Sequence, residues 1–384
     1  MNTPDTGPFD AVVVGAGPAG SAAALVLARG GRRVLLLEKD RFPRPKVCGE
    51  FLSSDAVSSL RKLGVLASVE RAVPERIARG SLHWPRGRSV SFDLPATAYG
   101  LSRRVLDDLV ARAATDAGAD TRFDARVLSI DAPGADGFRV RFSQKEAERE
   151  VRASFVVGAW GRWDALDRRL DRGFQRAGSR YFGWSRDYEG NTSALAGQVR
   201  LYFFPGGYCG LSRVEEERVN LAGVVSEGVL RGQKAVWEGV LAHARRSNGA
   251  LDADLSALAP GPTGFLGTGP VFFTAKPPSE EGILMAGDAA GVIDPFSGEG
   301  QAAAFASGIL AGETVESALS GSLSPAATAR AYSRAWKRSQ ARRFVWSALL
   351  RRLILSPRLS AAAASLAGDK LVLLAMRALK QKRF

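Results

Sequence analysis

Asp10 to Val14 is a short apolar run ending in glycines, Pro18 to Arg29 is Ala-rich and stops at Gly30-Gly31, and Val34 to Leu37 is apolar again. That order predicts a strand, a tight turn, a helix and a second strand. Leu52 to Leu63 repeats the helical period, with Ser53 or Ser54 as N-cap and Gly64 just past the end. A further helix is expected from about Arg104 to Asp116, after Ser102 and before Gly118. Between Thr121 and Val157, three alternating stretches are separated by Pro133-Gly134 and a charged turn around Lys145 to Arg149, the pattern of an antiparallel meander. Gln198 to Ser226 alternates again around Pro205-Gly206-Gly207 and Glu215-Glu216-Glu217, which predicts a second sheet and a natural wall for a substrate. Ile283 to Ala286 reads as a buried strand running into Gly287-Asp288, and Gln301 to Leu319 as a helix. From about Pro325 the chain reads as helices broken at Pro357 and Gly368.

Charge changes this picture only at one end. The chain has 384 residues and a formal charge of +14, yet Arg330 to Phe384 holds 14 Lys or Arg against the single acid Asp369, so +13 of the excess lies there. The body is nearly neutral, and no recognition motif accompanies the charge, which argues against nucleic acid. Its apolar runs, Phe344 to Leu350 and Leu371 to Met376, are too short to span a bilayer. A helix lying on an anionic membrane through 330–384, with Arg342, Arg343, Arg351 and Arg352 on the surface, is one expectation, and a basic helical cap is the other. No basic n-region or apolar run opens the chain, so a cytoplasmic protein, peripheral to a membrane if the basic end docks, is expected. Cys48 and Cys209 are too few for a disulfide scaffold, and with only His83 and His243 no metal site is expected.

Candidate chemistry sits in the glycines. Gly15-Ala16-Gly17-Pro18-Ala19-Gly20 lies directly between a predicted strand and helix. Gly15 permits the tight turn, Gly17 lets the backbone approach a pyrophosphate, Gly20 lets helix and strand pack closely, and the helix N-terminus offers free N–H groups to phosphate. Glu38, about 20 residues on, ends the second strand, where a carboxylate accepts hydrogen bonds from an adenosine ribose. This disfavours a 2′-phosphate and leaves NAD and FAD open. No second G-x-G-x-x-G follows, so a separate nicotinamide domain is not expected, and the reductant must be NAD(P)H or another reduced carrier that binds transiently.

The run from Ile283 through Gly287-Asp288 to Gly291 resembles the second FAD fingerprint of the p-hydroxybenzoate hydroxylase superfamily, in which the Asp meets the ribityl chain. The loop Asp294-Pro295-Phe296-Ser297-Gly298-Glu299-Gly300-Gln301 is similar to the one leading into a helix beneath the isoalloxazine ring. Lys46-Val47-Cys48-Gly49-Glu50 resembles the K-x-C-G element of the geranylgeranyl reductase-like branch, and Arg103 with Asp107 its R-x-x-x-D. The resemblance covers about Phe9 to Leu319 and implies FAD, with Lys39, Lys46, Cys48, Gly49, Arg103 and Val127 joining the glycine turn, Glu38, Gly287, Asp288, Pro295 and Gly298 to Gln301 as cofactor residues. Cys48 and Tyr208 are the candidate catalytic groups; Cys48 also has a bland reading as a small packing residue. Two departures stand out. Trp160, in Gly158-Ala159-Trp160-Gly161, stands where an Asp associated with nicotinamide and flavin is usual, and Tyr208-Cys209-Gly210-Leu211-Ser212-Arg213 replaces the Y-x-W-x-F-P of prenyl reductases. The halogenase element W-x-W-x-I-P is absent, with Gly183-Trp184-Ser185 the nearest segment.

The expected fold is therefore α/β: a discontinuous Rossmann-like FAD-binding domain (1–60, 96–165 and 271–324), an antiparallel-sheet substrate domain (61–95 and 166–270) and a basic helical segment (325–384). The expected function is an FAD-dependent oxidoreductase acting by hydroxylation or alkene reduction on a hydrophobic polyketide-like, isoprenoid or phenolic molecule. A non-catalytic escort module and a flavin halogenase are the alternatives.

Overall fold

The computed structural model describes residues 8–174, 179–231, 233 and 236–355. The chain opens with β1 (Phe9–Val14), α1 (Pro18–Arg29) and β2 (Val34–Leu37), followed by β3 (Phe51–Leu52), α2 (Ser54–Lys62), α3 (Leu66–Arg71), β4 (Glu75–His83) and β5 (Ser89–Gly100). Next come α4 (Arg103–Asp116), β6 (Asp120–Arg122), the meander β7 (Ala125–Gly134), β8 (Gly137–Gln144) and β9 (Ala147–Gly158), and α5 (Ala165–Arg169). The middle of the chain forms β10 (Tyr181–Gly190), β11 (Gln198–Phe204), β12 (Gly207–Arg213), β13 (Val219–Ser226), α6 (Glu227–Leu230), α7 (Val236–Ser247), α8 (Gly249–Ser256) and β14 (Leu258–Pro270). The chain returns through β15 (Ser279–Glu280), β16 (Ile283–Met285), α9 (Gly300–Ser320) and α10 (Pro325–Leu355).

Two eight-stranded sheets result. The first runs β15-β16-β9-β1-β2-β6, with β16, β9, β1, β2 and β6 parallel, and β8 and β7 branch from β9. Strand β9 belongs to both parts because its sequence changes period. Val151 and Ala153 alternate with exposed residues beside β8, whereas Phe155, Val156 and Val157 are buried without a break beside β1. One-sided burial suits the meander and two-sided burial the parallel sheet. The expected βαβ unit, meander, second sheet and long helix after residue 300 all form, with ends shifted by a residue or two.

The second sheet is ordered β14-β10-β13-β12-β11-β4-β5-β3. Five of its strands, β3, β4, β5, β10 and β14, escape the periodicity reading. Strand β14 is Leu-Ala-Pro-Gly-Pro-Thr-Gly-Phe-Leu-Gly-Thr-Gly-Pro, a loop by composition. It pairs only with β10, and an edge position tolerates proline because the missing N–H leaves no ladder bond unmade on its outer side. Helices α7 and α8 cover one face of this sheet around Trp184, Tyr202 and Leu221; the other face turns toward the first sheet.

The structure redraws the expected domain limits in two places. Leu63, Val65 and Val69 join the same core as β1 and β2, so 61–71 belongs with the first sheet, while 51–52 and 96–100 are strands of the second. Helix α10 is continuous from Pro325 and completes the first core: Ala329, Tyr332 and Trp336 are buried in it, and Tyr332 donates a 2.7 Å hydrogen bond to the Met285 carbonyl. The 325–355 part is thus no separate cap. The breaks expected at Pro357 and Gly368 and the apolar run Leu371 to Met376 lie outside the described residues, whereas the larger part of the basic excess, eight of the 14 Lys and Arg, falls within 330–355. Arg343, expected on the surface, is buried: its Nη2 lies 2.8 Å from Asp55 Oδ2 and 3.6 Å from Glu299 Oε2. Its place on the inner face of α10, between Trp336 and Ser347, turns it toward α2 and α9.

Candidate active site

The three motif glycines have different reasons to exist. Gly15 has φ +100°, and a Cβ there would lie 2.5 Å from the Ala159 carbonyl oxygen. At Gly20 a Cβ would lie 1.7 Å from the Gly15 oxygen. Both are required by the backbone crossing of β1, α1 and β9. Gly17 is not: its φ is −67°, ordinary for any residue, and a Cβ would meet only Arg103 Nη2 at 3.8 Å. The protein leaves room there that its own packing does not use.

That room joins two cavities. The first, about 480 Å³, is bounded by Gly15, Gly17, Glu38, Lys39, Val127 and Trp160. Glu38 is buried at 4% exposure, and its carboxylate accepts the Ala16 N–H at 2.8 Å and the Asp40 N–H at 3.0 Å. Backbone donors thus hold the carboxylate at the strand end where a ribose hydroxyl would meet it. Lys39 Nζ is 2.9 Å from Asp164 Oδ2, which fastens this rim to the segment after β9. The open glycine, the α1 N-terminus behind it and the fixed carboxylate fit the ADP half of FAD.

The second cavity, about 250 Å³, lies between the sheets. Gly17, Lys46 and Arg162 line both cavities, so the two are continuous. Its first-sheet wall holds Pro18, Ala19, Gly287, Asp288, Pro295, Gly298, Gly300 and Gln301, together with Cys48, Gly49 and Arg103. Gly287 (φ +61°) donates its N–H to Ser307 Oγ at 2.9 Å, and Gly298 (φ +67°) lies so close to Phe51 that a Cβ would be 2.9 Å from its ring. The loop therefore turns sharply and delivers the α9 N-terminus to the cavity.

Arg103 is anchored rather than solvated. Its Nε and Nη2 each donate to Asp107 at 2.7 Å in a buried fork, so the R-x-x-x-D element presents a fixed cation beside Gly17. Lys46 is half-buried, and its loss of hydration, reinforced by Arg103 and Arg44, lowers its pKa to about 8. Cys48 Sγ accepts the Glu50 N–H at 3.3 Å and Gln301 Nε2–H at 3.6 Å. Tyr208 also lines the cavity, but its hydroxyl donates to Asp294 Oδ1 at 2.6 Å, and burial pushes its pKa well above the usual range. Its proton is thus already committed.

Three expected cofactor residues stand behind the walls rather than in them. Ala16 gives its N–H to Glu38, Gly20 is packed on Gly15, and the Glu299 carboxylate faces Arg343. Other residues enter that the motifs did not name. Trp160 Nε1 donates to Asp167 Oδ1 at 3.2 Å, and fully buried Asp167 pairs with Arg172 at 2.9 Å. Arg172 then reaches the carbonyls of Ala289 and Pro277, both at 2.8 Å. Lys276 donates to the carbonyls of Asp288 (2.9 Å) and Arg162, which ties the two cofactor segments together. Trp160 thus replaces the usual acid as part of a brace, which a motif search cannot register. Glu50 also lines the second cavity.

The contrast between glycines gives a direct expectation. Gly17→Val will purify folded but without flavin, because its side chain fills the joint between the cavities. Gly20→Ala will lose folded protein, because a backbone oxygen stands at 1.7 Å. Flavin absorbance and thermal unfolding of the two variants check this; full flavin occupancy in Gly17→Val contradicts the assignment.

Comparison with known proteins agrees. Residues 9–186 match the FAD binding domain family. The chain is 30% identical to the menaquinone reductase of Mycolicibacterium smegmatis over 80% of its own length and 76% of the relative, and 28% identical to digeranylgeranylglycerophospholipid reductase 2 of Methanopyrus kandleri over 88% and 85%. Among solved structures it superposes on a myxobacterial chondrochloren halogenase (TM-score 0.78, 20% identity, 98% of both chains) and on a geranylgeranyl bacteriochlorophyll reductase-like protein of Thermoplasma acidophilum (TM-score 0.76, 20% identity, 96% of both), which shows the shared fold. With its glycine turn, its Gly287-Asp288 loop and these relatives, the chain belongs to the geranylgeranyl reductase-like FAD-dependent oxidoreductases of the p-hydroxybenzoate hydroxylase superfamily.

Proposed function

We propose that this oxidoreductase reduces a carbon–carbon double bond in a hydrophobic, isoprenoid-type small molecule. The observation that carries this is the second cavity, whose far wall is the apolar face of the second sheet, with Phe92, Leu94, Leu201 and Val224 opposite Cys48 and the Gly298–Gln301 loop. A cleft lined mainly by apolar surface, with its polar groups gathered on the first-sheet wall, suits an alkene. The relatives named above are reductases of a geranylgeranyl lipid and of menaquinone, which supports the same reading.

FAD bound across the two cavities supplies hydride when reduced. The protein supplies position and electrostatics. Gly17 and Arg103 would take the pyrophosphate, Glu38 the ribose and Asp288 the ribityl chain. The α9 N-terminus would hold the negative charge of a reduced ring. NAD(P)H or another reduced carrier would deliver electrons in a transient encounter, since the chain carries one G-x-G-x-x-G.

Hydroxylation is the second reading, and one feature favours it. Gly210 and Ser212 face the cavity from β12 where prenyl reductases carry Trp and Phe, so the floor is wide enough for a ring. Product mass separates the two. With enzyme reduced in the absence of oxygen, the reductase reading predicts a product heavier by two hydrogens; a product that forms only in air and carries one added oxygen supports hydroxylation and contradicts it.

A membrane surface is the proposed source of such a substrate. Among the described residues no helix is long and apolar enough to cross a membrane. On α10, however, Arg334, Lys337, Arg338 and Arg342 are exposed and lead into exposed Val345 (58%) and Leu349 (45%). Each cation near an anionic surface contributes about 1 kcal/mol. Co-sedimentation with anionic liposomes should therefore weaken in salt and in an Arg338→Gln, Arg342→Gln, Val345→Ser variant, with flavin content unchanged. Equal recovery in the supernatant with and without vesicles removes the membrane from the account.

A further inference from the structure

Glu50 is placed where the mechanism needs a group that neither Cys48 nor Tyr208 clearly provides. It follows Cys48-Gly49, lines the second cavity and is only 9% exposed. Its backbone is left-handed, φ +53°, a conformation that glycine adopts freely and Glu does not. A side chain at such a position has a use that offsets its backbone strain. One use is visible: Oε1 accepts the Arg103 N–H at 2.9 Å and so caps α4. That task needs an acceptor, not a charge, and an amide would serve.

The surroundings determine the form of the carboxyl. Glu215 approaches the same helix end, its Oε2 accepting the neighbouring Ser102 N–H at 2.8 Å, and it is neutralised by Arg218. Arg103 is the other cation nearby, and its guanidinium is committed to Asp107. From its own loop Glu50 faces Cys48, whose sulfur takes the Glu50 N–H. Glu50 makes no ion pair within 4.0 Å among the described residues, so two carboxyls converge on one helix end and only Glu215 has a counter-ion of its own. Burial, opposed by the Arg103 N–H and reinforced by Glu215, raises the Glu50 pKa to about 8. Near neutral pH it is therefore a carboxylic acid, and no described residue takes its Oε2.

We propose that Glu50 is the general acid of the substrate step, donating its proton from the cavity wall to the alkene carbon next to the one that receives hydride. The inference rests on the alkene-reduction reading above. The step balances: hydride from the reduced flavin forms one C–H bond, the π pair of the double bond takes the Glu50 proton to form the other, and the O–H bond breaks to leave a carboxylate. Solvent returns the proton after product leaves. Oε1 stays on the Arg103 N–H throughout, so the carboxylate is met by a backbone donor as it forms.

Glu50→Gln keeps the cap and removes the acid, so it should fold and bind FAD like the wild type. In single turnovers of pre-reduced enzyme without oxygen, it should slow product formation by about 10²–10⁴-fold, the usual contribution of a positioned acid. Wild-type rates should fall as pH rises through about 8, with the acid form lost; Cys48→Ala should keep that profile and Glu50→Gln should lose it. A second readout needs no substrate: infrared difference spectra across the same pH range should show a protonated-carboxyl band in holoenzyme that vanishes in Glu50→Gln. A wild-type rate and profile in Glu50→Gln, or the absence of any Glu50-dependent band, overturns the proposal. A wild type that reduces no alkene contradicts the functional reading instead, and the infrared arm still decides whether Glu50 is held protonated.

Discussion

The backbone contact between the β1–α1 turn and the end of β9 is the constraint on which the rest of the molecule depends. Gly15 and Gly20 let three chain segments meet without an intervening side chain, and Ala159 lies against them. Because β9 ends there, the chain after Gly158 must leave across the mouth of the turn, which puts Gly161 and Arg162 on the walls of both cavities and Trp160 on the wall of the first. The same contact aims the α1 N-terminus at the joint between cavities. A cofactor that follows the open backbone at Gly17 passes from the parallel sheet to the apolar cleft.

Buried charge holds the loops around that path. Arg103–Asp107 fixes the guanidinium on α4, Arg172–Asp167 fixes the irregular chain after α5, and Arg343 ties α10 to Asp55 of α2 and to Glu299 at the start of α9. Taking such ions out of water costs several kcal/mol each, so these pairs are poor sources of net stability. Breaking one is costlier, about 3–5 kcal/mol, because the remaining charge is stranded. They therefore act by holding side chains and segments in one place, and the Arg172 guanidinium, bound to Asp167 and to two carbonyls of the 277–289 stretch, shows how. Lys276 does the same with an uncommon cation, its pKa lowered to about 8 by burial although Asp167 and Asp288 oppose the shift.

What could be read from sequence was whatever local period or spacing encodes. The βαβ unit, the meander and α9 announce themselves within a dozen residues each, and Glu38 is found by its distance from Gly15. The second sheet was half legible. Strands β11 to β13 are consecutive hairpins, but β10 pairs with β14 across a long separation, and β14 carries three prolines and four glycines. Burial at a distance was not legible at all. Arg343 looks like one more basic surface residue until Asp55, 288 positions away, folds against it. Glu50 looks like a solvated acid until Glu215 arrives from the turn between β12 and β13. Such partners are set by tertiary packing, which no window along the chain contains.

The central claim is that one FAD spans both cavities through the opening at Gly17 and sets its redox ring against the apolar face of the second sheet. A crystal structure of the FAD complex tests it most directly. The account predicts pyrophosphate density at Gly17 and Arg103, adenosine density at Glu38, and ring density among Cys48, Gly298 and Gln301. A ring lying in the cavity beside Lys39 and Trp160, with the cleft between the sheets left to solvent, would contradict it.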